Sequence, residues 1–166
     1  MINEDSSIYQ LFCNNPDCGL VLATSGDPTP LQKRFVIKGC PYCSCKEFST
    51  NYDITVFDEK EISINKLSVI IPFFGVEDFA KACIESVLAQ DVSPLDVYLV
   101  DDGSCDTCPE ICDSFLFDPR VVVIHQKNAG LSMARNTALE LIHSEYVTFV
   151  DGDDKLLNNP SGHSKV

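Results

Sequence analysis

The sequence predicts an α/β protein: a doubly wound, mainly parallel sheet over residues 67–158, preceded over residues 1–60 by a small β module tied by cysteines. Three observations predict it. Between Leu67 and Val150, apolar runs alternate with amphipathic stretches in the order strand, helix, strand, helix, strand, helix, strand. That alternation implies right-handed crossovers and helices on both faces of a parallel sheet. Two of the apolar runs end in carboxylates, at the strand ends where open sheets bind ligands. Finally, two cysteine pairs stand on breaker-rich turns, separated by about twenty residues, a metal-site spacing.

Composition narrows the function. The chain has 166 residues, 45% of them hydrophobic, enough for one domain or a small module plus a partial one. Its net charge of −13 argues against nucleic acid as a partner, which needs a basic face, and against an anionic membrane surface. An anionic ligand must then be met locally, by a metal ion or a few placed Arg, Lys and backbone N–H groups. No basic start precedes an apolar run, and no apolar run has the length of a bilayer span, so the chain reads as cytoplasmic, with no signal peptide and no transmembrane segment. Nine cysteines in a reducing compartment suggest metal or redox chemistry before disulfides.

Residues 1–8 are polar and read as a frayed start. The first cysteine pair is Cys13-Asn-Asn-Pro-Asp-Cys18; the second lies in Gly39-Cys40-Pro-Tyr-Cys43-Ser-Cys45. Pro16, Gly19, Gly39 and Pro41 supply turn geometry around the thiols. Residues 20–22 and 34–37 read as short strands, and 48–57 as the source of a third. So small a segment buries little core, and a structural metal offsets that. The segment resembles a zinc ribbon, with Cys13, Cys18, Cys40 and Cys43 as ligands and Cys45 as a substitute fourth. The resemblance implies Zn²⁺ in a structural or docking role. Four residues separate the first two cysteines, where two is commoner. Residues 58–66 are charged and patternless, a link between modules.

Residues 67–73 form the first strand of the larger segment. Val76, Phe79, Ala80, Cys83, Ile84, Val87 and Leu88 follow at helical spacing. Residues 96–100 are a second strand, ending in Asp101-Asp102-Gly103-Ser104. A short helix comes next, with Thr107, Pro109 and Glu110 in the pattern of a capping box. Residues 120–125 are a third strand; Leu131, Ala134, Ala138, Leu141 and Ile142 mark a third helix. Residues 146–150 are a fourth strand, apolar enough to be covered on both faces. It ends in Asp151, Asp153 and Asp154 around Gly152. Crowded carboxylates repel unless a cation sits between them, and a hard divalent ion suits oxygen ligands; the plain alternative is an acidic surface turn. The usual strand order sets the first and fourth strands side by side, so that residues 72–75 face Asp151 and Asp153, with Asp101 and Asp102 on the same rim. Neither a G-x-G-x-x-G after the first strand nor a P-loop is present, which excludes the common dinucleotide and P-loop phosphate sites.

Ser-Val-Ile-Ile-Pro-Phe-Phe (68–74), Val-Asp-Asp-Gly-Ser (100–104), Asn-Ala-Gly-Leu-Ser-Met-Ala-Arg-Asn (128–136) and Phe-Val-Asp-Gly-Asp-Asp (149–154) stand in the order and spacing of family-2 glycosyltransferases, which this chain resembles. The resemblance implies the GT-A fold and transfer of a sugar from a nucleotide-diphosphate donor, a UDP-sugar foremost, to a glycan or lipid-linked acceptor in polysaccharide synthesis. It implies that Pro72 and Phe74 line the nucleobase pocket, and that Asp102 accepts from base or ribose with Asp101 helping or capping the turn. Arg135 would contact the nucleotide, and Asp151 and Asp153, the Asp-x-Asp pair, would hold Mn²⁺ or Mg²⁺ on the diphosphate. Asp154 would orient the metal shell or sugar hydroxyls, and the turn at residues 128–132 would direct free N–H groups to an anion.

Phe74 keeps an aromatic ring where the family has a polar residue or Tyr. The family's domain continues beyond its Asp-x-Asp motif to supply the acceptor pocket and catalytic base. No residue after Asp154 matches that base, so the chain reads as a donor-binding half with an open sheet edge that invites self-association. The rival reading is a non-catalytic binding or scaffold protein whose zinc ribbon recruits a partner. A nucleotidyltransferase fits worse, because Gly75-Val-Glu-Asp is the wrong chemistry for a basic phosphate loop. Cys83 and Cys112 read as core, Cys105 and Cys108 as turn or buried thiols rather than a redox pair, and His125 as structural.

Overall fold

In the computed structural model, residues 8–25, 40–43, 45, 47–51, 63–93 and 95–157 are described. Strands β1 (Tyr9–Cys13), β2 (Val21–Thr24), β3 (Phe48–Thr50), β4 (Ser63–Phe73), β5 (Leu95–Asp101), β6 (Val121–His125) and β7 (Ser144–Phe149) lie in one sheet of order β3-β1-β2-β6-β5-β4-β7. Helices α1 (Glu77–Leu88), α2 (Cys108–Asp113) and α3 (Leu131–Leu139) connect β4, β5, β6 and β7 in turn. Those four strands pair in parallel, as the alternation of apolar runs requires, and β4 lies between β5 and β7. The first and fourth runs are therefore neighbours, the arrangement expected from the sequence. The strand expected at residues 34–37 and the tail beyond residue 157 lie outside the described residues. The link expected at 58–66 is described only from residue 63, and there it is strand: β4 begins at Ser63 rather than Leu67, because its start pairs with β7, Ser63 opposite Ser144.

Alternation along the central strands sends side chains to two cores. Val69, Ile71, Phe73, Val97, Leu99, Val121 and Val123 pack with Ala80, Ile84 and Val87 of α1 and Cys108 and Cys112 of α2. Ile70, Tyr98, Val100 and Ile124 point the other way, to Ala134 and Ala138 of α3. Cys83 and Cys112 are fully buried, as expected of core thiols. Pro72 is tolerated in β4 because the β7 ladder ends at Ile70 opposite Phe149, so its missing N–H breaks no pair on that side.

The N-terminal strands extend this sheet. β2 runs antiparallel to β6, with Val21 opposite His125 and Leu22 opposite Ile124. β1 then pairs antiparallel with both β2 and β3. β1 carries no strong signal in the sequence, because its burial comes from both neighbours rather than from its own pattern. Leu11, Leu20, Leu22, Cys18 and Cys40 join the same core as Ala134 and Ala138. A sheet edge at β6 would present unpaired backbone groups, and β2 covers it.

Three local expectations are corrected. β7 is not covered on both faces: Glu145 through Phe149 are all exposed, on the edge strand of the sheet, while the helices pack on the central strands. Phe79, placed on the inner face of α1 by its spacing, is 54% exposed, and Leu131 at the start of α3 is 51% exposed; each sits in the first turn of its helix. The capping box at α2 does not form. Thr107 makes no side-chain cap; its N–H and Oγ1 donate to Glu77 Oε2 at 2.9 and 2.6 Å. In return Asp106 accepts from the N–H groups of Glu77 and Cys108, so the two helix starts cap each other, acidic groups meeting free N–H groups.

Candidate functional site

β5 delivers Asp101 and Asp102 to the sheet end, and both are buried, at 4% and 2% exposure. Asp101 Oδ1 accepts from the Ser104 N–H at 2.9 Å, and its Oδ2 meets His125 Nδ1 at 3.1 Å. His125 Nε2 in turn meets Asp113 Oδ1 at 3.1 Å. Burial works against the charged imidazole, but Asp101 and Asp113 outweigh it and raise His125 from 6.5 to about 9. Asp101 is lowered: burial opposes its charge, and the His125 and Ser104 bonds prevail. His125 is therefore a structural cation at the end of β6, in keeping with the sequence reading.

Asp102 faces the loop that leads into α3. Its Oδ1 accepts from Gln126 Nε2 at 2.6 Å and the Ala129 N–H at 3.0 Å; its Oδ2 accepts from the Gly130 N–H at 2.8 Å. Two of the turn amides expected to face an anion are thus already used by Asp102. Gly103, at φ +71°, lets the two segments interlock: a Cβ there would lie 2.7 Å from the Asn128 nitrogen.

Across the sheet end, Asp151 follows β7 and is exposed. Arg135, in the second turn of α3, pairs through its Nη2 with Asp151 Oδ1 and lies 5.4 Å over the Phe149 ring. Its Nε–H is buried and finds no acceptor among the described groups. Gly152 is required by contact: a Cβ would lie 2.7 Å from Phe73 Cδ1 and 2.8 Å from the Pro72 carbonyl. The turn closes with the Asp154 N–H donating to the Asp151 carbonyl at 2.9 Å. Phe73 is buried while Phe74 is 56% exposed, so the first strand turns one ring inward under Gly152 and leaves the next open.

A cleft of about 360 Å³ lies here, lined by Arg135, Phe149, Val150, Asp151, Asp154, Lys155 and Leu156. Asp151 and Asp154 border it; Asp153 is exposed beside it. The carboxylates leave a negative field: burial first, then Asp154, Asp153 and Asp151, push the neighbouring Cys83 thiol up to about 12. Cys83 Sγ donates to the Asp151 carbonyl at 3.4 Å. Open carboxylate oxygens suit a hard divalent ion that takes its remaining ligands from a bound diphosphate.

The second candidate centre lies beside β1 and β2, across the sheet from β7, where Val21 is opposite His125. The Sγ atoms of Cys13, Cys18, Cys40 and Cys43 all fall within 4.8 Å of one another, the one such group of three or more metal-binding side chains among the described residues. Cys13 and Cys43 stand 3.5 Å apart, and Cys18 and Cys40 3.6 Å. A tetrahedral zinc with bonds of about 2.3 Å sets its sulfurs about 3.8 Å apart, so the four thiols fit that ion. Cys45 turns away, its Sγ donating to the Glu47 carbonyl at 3.7 Å. The four-thiol group forms despite the long first spacing because the Cys18 N–H donates to the Asn15 carbonyl at 3.0 Å and the Asp17 N–H to Asn15 Oδ1 at 3.1 Å, folding the extra residues into one turn.

A family model described as Glycosyl transferase family 2 matches residues 68–159. The chain belongs to this family. Glycosyltransferase GlyA of Streptococcus pneumoniae serotype 4 is 44% identical over 91 residues, covering 54% of this chain and 13% of that protein. The crystal structure of S. aureus TarS 1-349 is similar at TM-score 0.51 and 32% identity, over 54% of this chain and 28% of the other. The same S. aureus TarS fragment in complex with UDP-GlcNAc is similar at TM-score 0.50 and 32% identity, over 53% of this chain and 26% of the other. The chain thus spans under a third of the length of these relatives.

The family-2 segment contributes residues to the cleft to which the sequence assigns no role. Phe149, Val150, Lys155 and Leu156 line it. In the sequence Phe149 reads as core strand, and Lys155 is hidden behind three aspartates. Lys127, between two motif segments, reaches back to donate to the Asp17 carbonyl, a contact no local pattern signals. Cys108 is fully buried and Cys105 exposed. Burial pushes the Cys108 thiol up to about 11, the opposite of a reactive thiol. Among the described residues, no helix is long and apolar enough to cross a membrane.

Proposed function

We propose that this chain carries the donor-binding half of a glycosyltransferase acting on a nucleotide-diphosphate sugar, foremost a UDP-sugar. The observation that carries the proposal is the cleft at the sheet end, where Arg135 is paired to Asp151 beside Asp154. The S. aureus relative whose structure holds UDP-GlcNAc supports the same donor class. Residues 67–158 are the donor domain, and residues 1–60 a module with structural zinc on Cys13, Cys18, Cys40 and Cys43.

The roles follow from chemistry. Phe74, exposed at the end of the first strand, stacks on the base, with Pro72 behind it. Asp102 has about one lone-pair position left after three protein donors, enough for a single bond from base or ribose, while Asp101 holds the turn. Asp151 and Asp153 hold Mn²⁺ or Mg²⁺, and Asp154 orients its shell. Such an ion, when bound, neutralises charge developing on the departing diphosphate. Arg135 holds Asp151 at the cleft wall through its Nη2 and, with its side chain about a third exposed on that wall, contacts a phosphate oxygen of the donor. The acceptor, a glycan or lipid-linked chain, and the catalytic base are left unassigned.

The test is calorimetric titration of the chain with UDP, with and without Mn²⁺. Binding that needs the metal and disappears in Asp151→Ala/Asp153→Ala supports the donor site. Binding unchanged by that double substitution sinks the metal assignment, and no binding under either condition hands the lead to a scaffold role.

A further inference from the structure

The four-cysteine centre and the Asp102 loop are parts of one connected structure. Cys18 and Cys40 are buried in the same core as Ala134 and Ala138, on the inner face of the helix that carries Arg135. Three residues after Cys18, Val21 pairs with His125, and the His125 ring holds Asp101. The turn within the first cysteine pair makes a second link: Lys127 Nζ donates to the Asp17 carbonyl, and a Cβ added at Gly19 would lie 3.7 Å from Lys127 Cε. Lys127 lies between Gln126 and Ala129, both of which donate to Asp102.

We propose that the Cys13, Cys18, Cys40 and Cys43 centre is a metal-dependent brace of the donor-site loop, a soft divalent ion with four thiolates fixing residues 126–130 around Asp102. A tetrathiolate set selects zinc over the hard ion proposed for the cleft. With the ion bound, the turn bearing Asp17 has one shape and offers its carbonyl to Lys127. Without it, four crowded thiols share no cation, and both β2 and the turn lose their anchor. The donor site is then tuned by zinc supply, although no cysteine touches the nucleotide. The link to donor affinity rests on the donor-site reading; the mechanical link to the loop does not.

Amide hydrogen exchange tests it on the whole chain in three forms: zinc-loaded, zinc-stripped by a chelator, and zinc-loaded Lys127→Met. Both changes are expected to speed exchange at the Ala129 and Gly130 amides roughly three- to tenfold, the factor for losing one partly screened charge-assisted hydrogen bond. Unchanged exchange there in the stripped chain, with the β5 amides still protected, overturns the brace. If stripping also exposes β5, the zinc-loaded Lys127→Met variant decides by the same readout, and unchanged exchange in it overturns the brace. UDP titration of Lys127→Met with Mn²⁺ is expected to show several-fold weaker binding. Failure of the unaltered chain to bind UDP would sink the donor reading, while the exchange result would still decide the brace.

Discussion

The Asp102 carboxylate and the Gly130 N–H lie 2.8 Å apart, joining the end of β5 to the first turn of α3. With the Gln126 and Ala129 bonds to the same side chain, this makes Asp102 the organiser of the loop before it is anything to a ligand. A buried carboxylate is retained at the sheet end because three donors compensate it.

Asp102→Asn is therefore expected to destabilise the fold even without nucleotide. It replaces one acceptor by a donor facing other donors, a mismatch that costs about 2 kcal/mol. Urea unfolding measures it; a midpoint equal to that of the unaltered chain would show that the loop does not depend on this carboxylate.

Gly152→Ala is expected to cost about 1–3 kcal/mol, because its Cβ meets the Pro72 carbonyl and the buried Phe73 ring at 2.8 and 2.7 Å. Of these neighbours the backbone carbonyl cannot swing aside. The same unfolding experiment applies, and nucleotide affinity should fall with it, since the turn sets the direction of Asp151.

Stability should depend on pH through His125. Its folded value, about 9, lies above the ordinary 6.5, so the imidazolium's contribution is complete below about pH 6.5 and is lost as pH rises through about 9. Asp101, lowered below 3.8, contributes above that value and loses its share as the solution is acidified past it. Unfolding free energy should thus fall between about pH 6.5 and 9, and His125→Gln should flatten that slope. A slope of equal size in the variant would assign it to other groups.

Zinc content separates the two candidate fourth ligands. Cys45→Ser should leave one zinc per chain, because Cys45 bonds to the Glu47 carbonyl, whereas Cys43→Ser should lower it, because Cys43 stands 3.5 Å from Cys13. Metal analysis after gel filtration reads both; equal loss from both variants would mean that the cluster rearranges around the ion.

The exposed edge at β7 should make the isolated chain self-associate. Tyr146, Val147 and Phe149 are exposed along a strand whose outer edge no described strand covers, the surface that charge usually protects. Sedimentation velocity should show concentration-dependent association that Val147→Lys reduces. A clean monomer at all concentrations would refute it.

The alternation of strands and helices, the neighbouring first and fourth strands, and the candidate ligands Cys13, Cys18, Cys40 and Cys43 are legible in the order of residues alone. These rest on local signals: apolar periodicity fixes an element's type, and thiols on tight turns fix a metal-site pattern. The same signals misjudge β7, because an apolar run looks alike whether or not a neighbour covers it. They miss β1, whose identity comes from pairing on both sides. Long-range packing sets the rest: β2 extends the parallel sheet through β6, Asp102 turns its oxygens to the loop into α3, and Lys127 reaches Asp17. Each joins groups far apart in the chain, and long-range pairing is chosen by whichever edge and whichever buried donors remain unsatisfied once the local elements have formed.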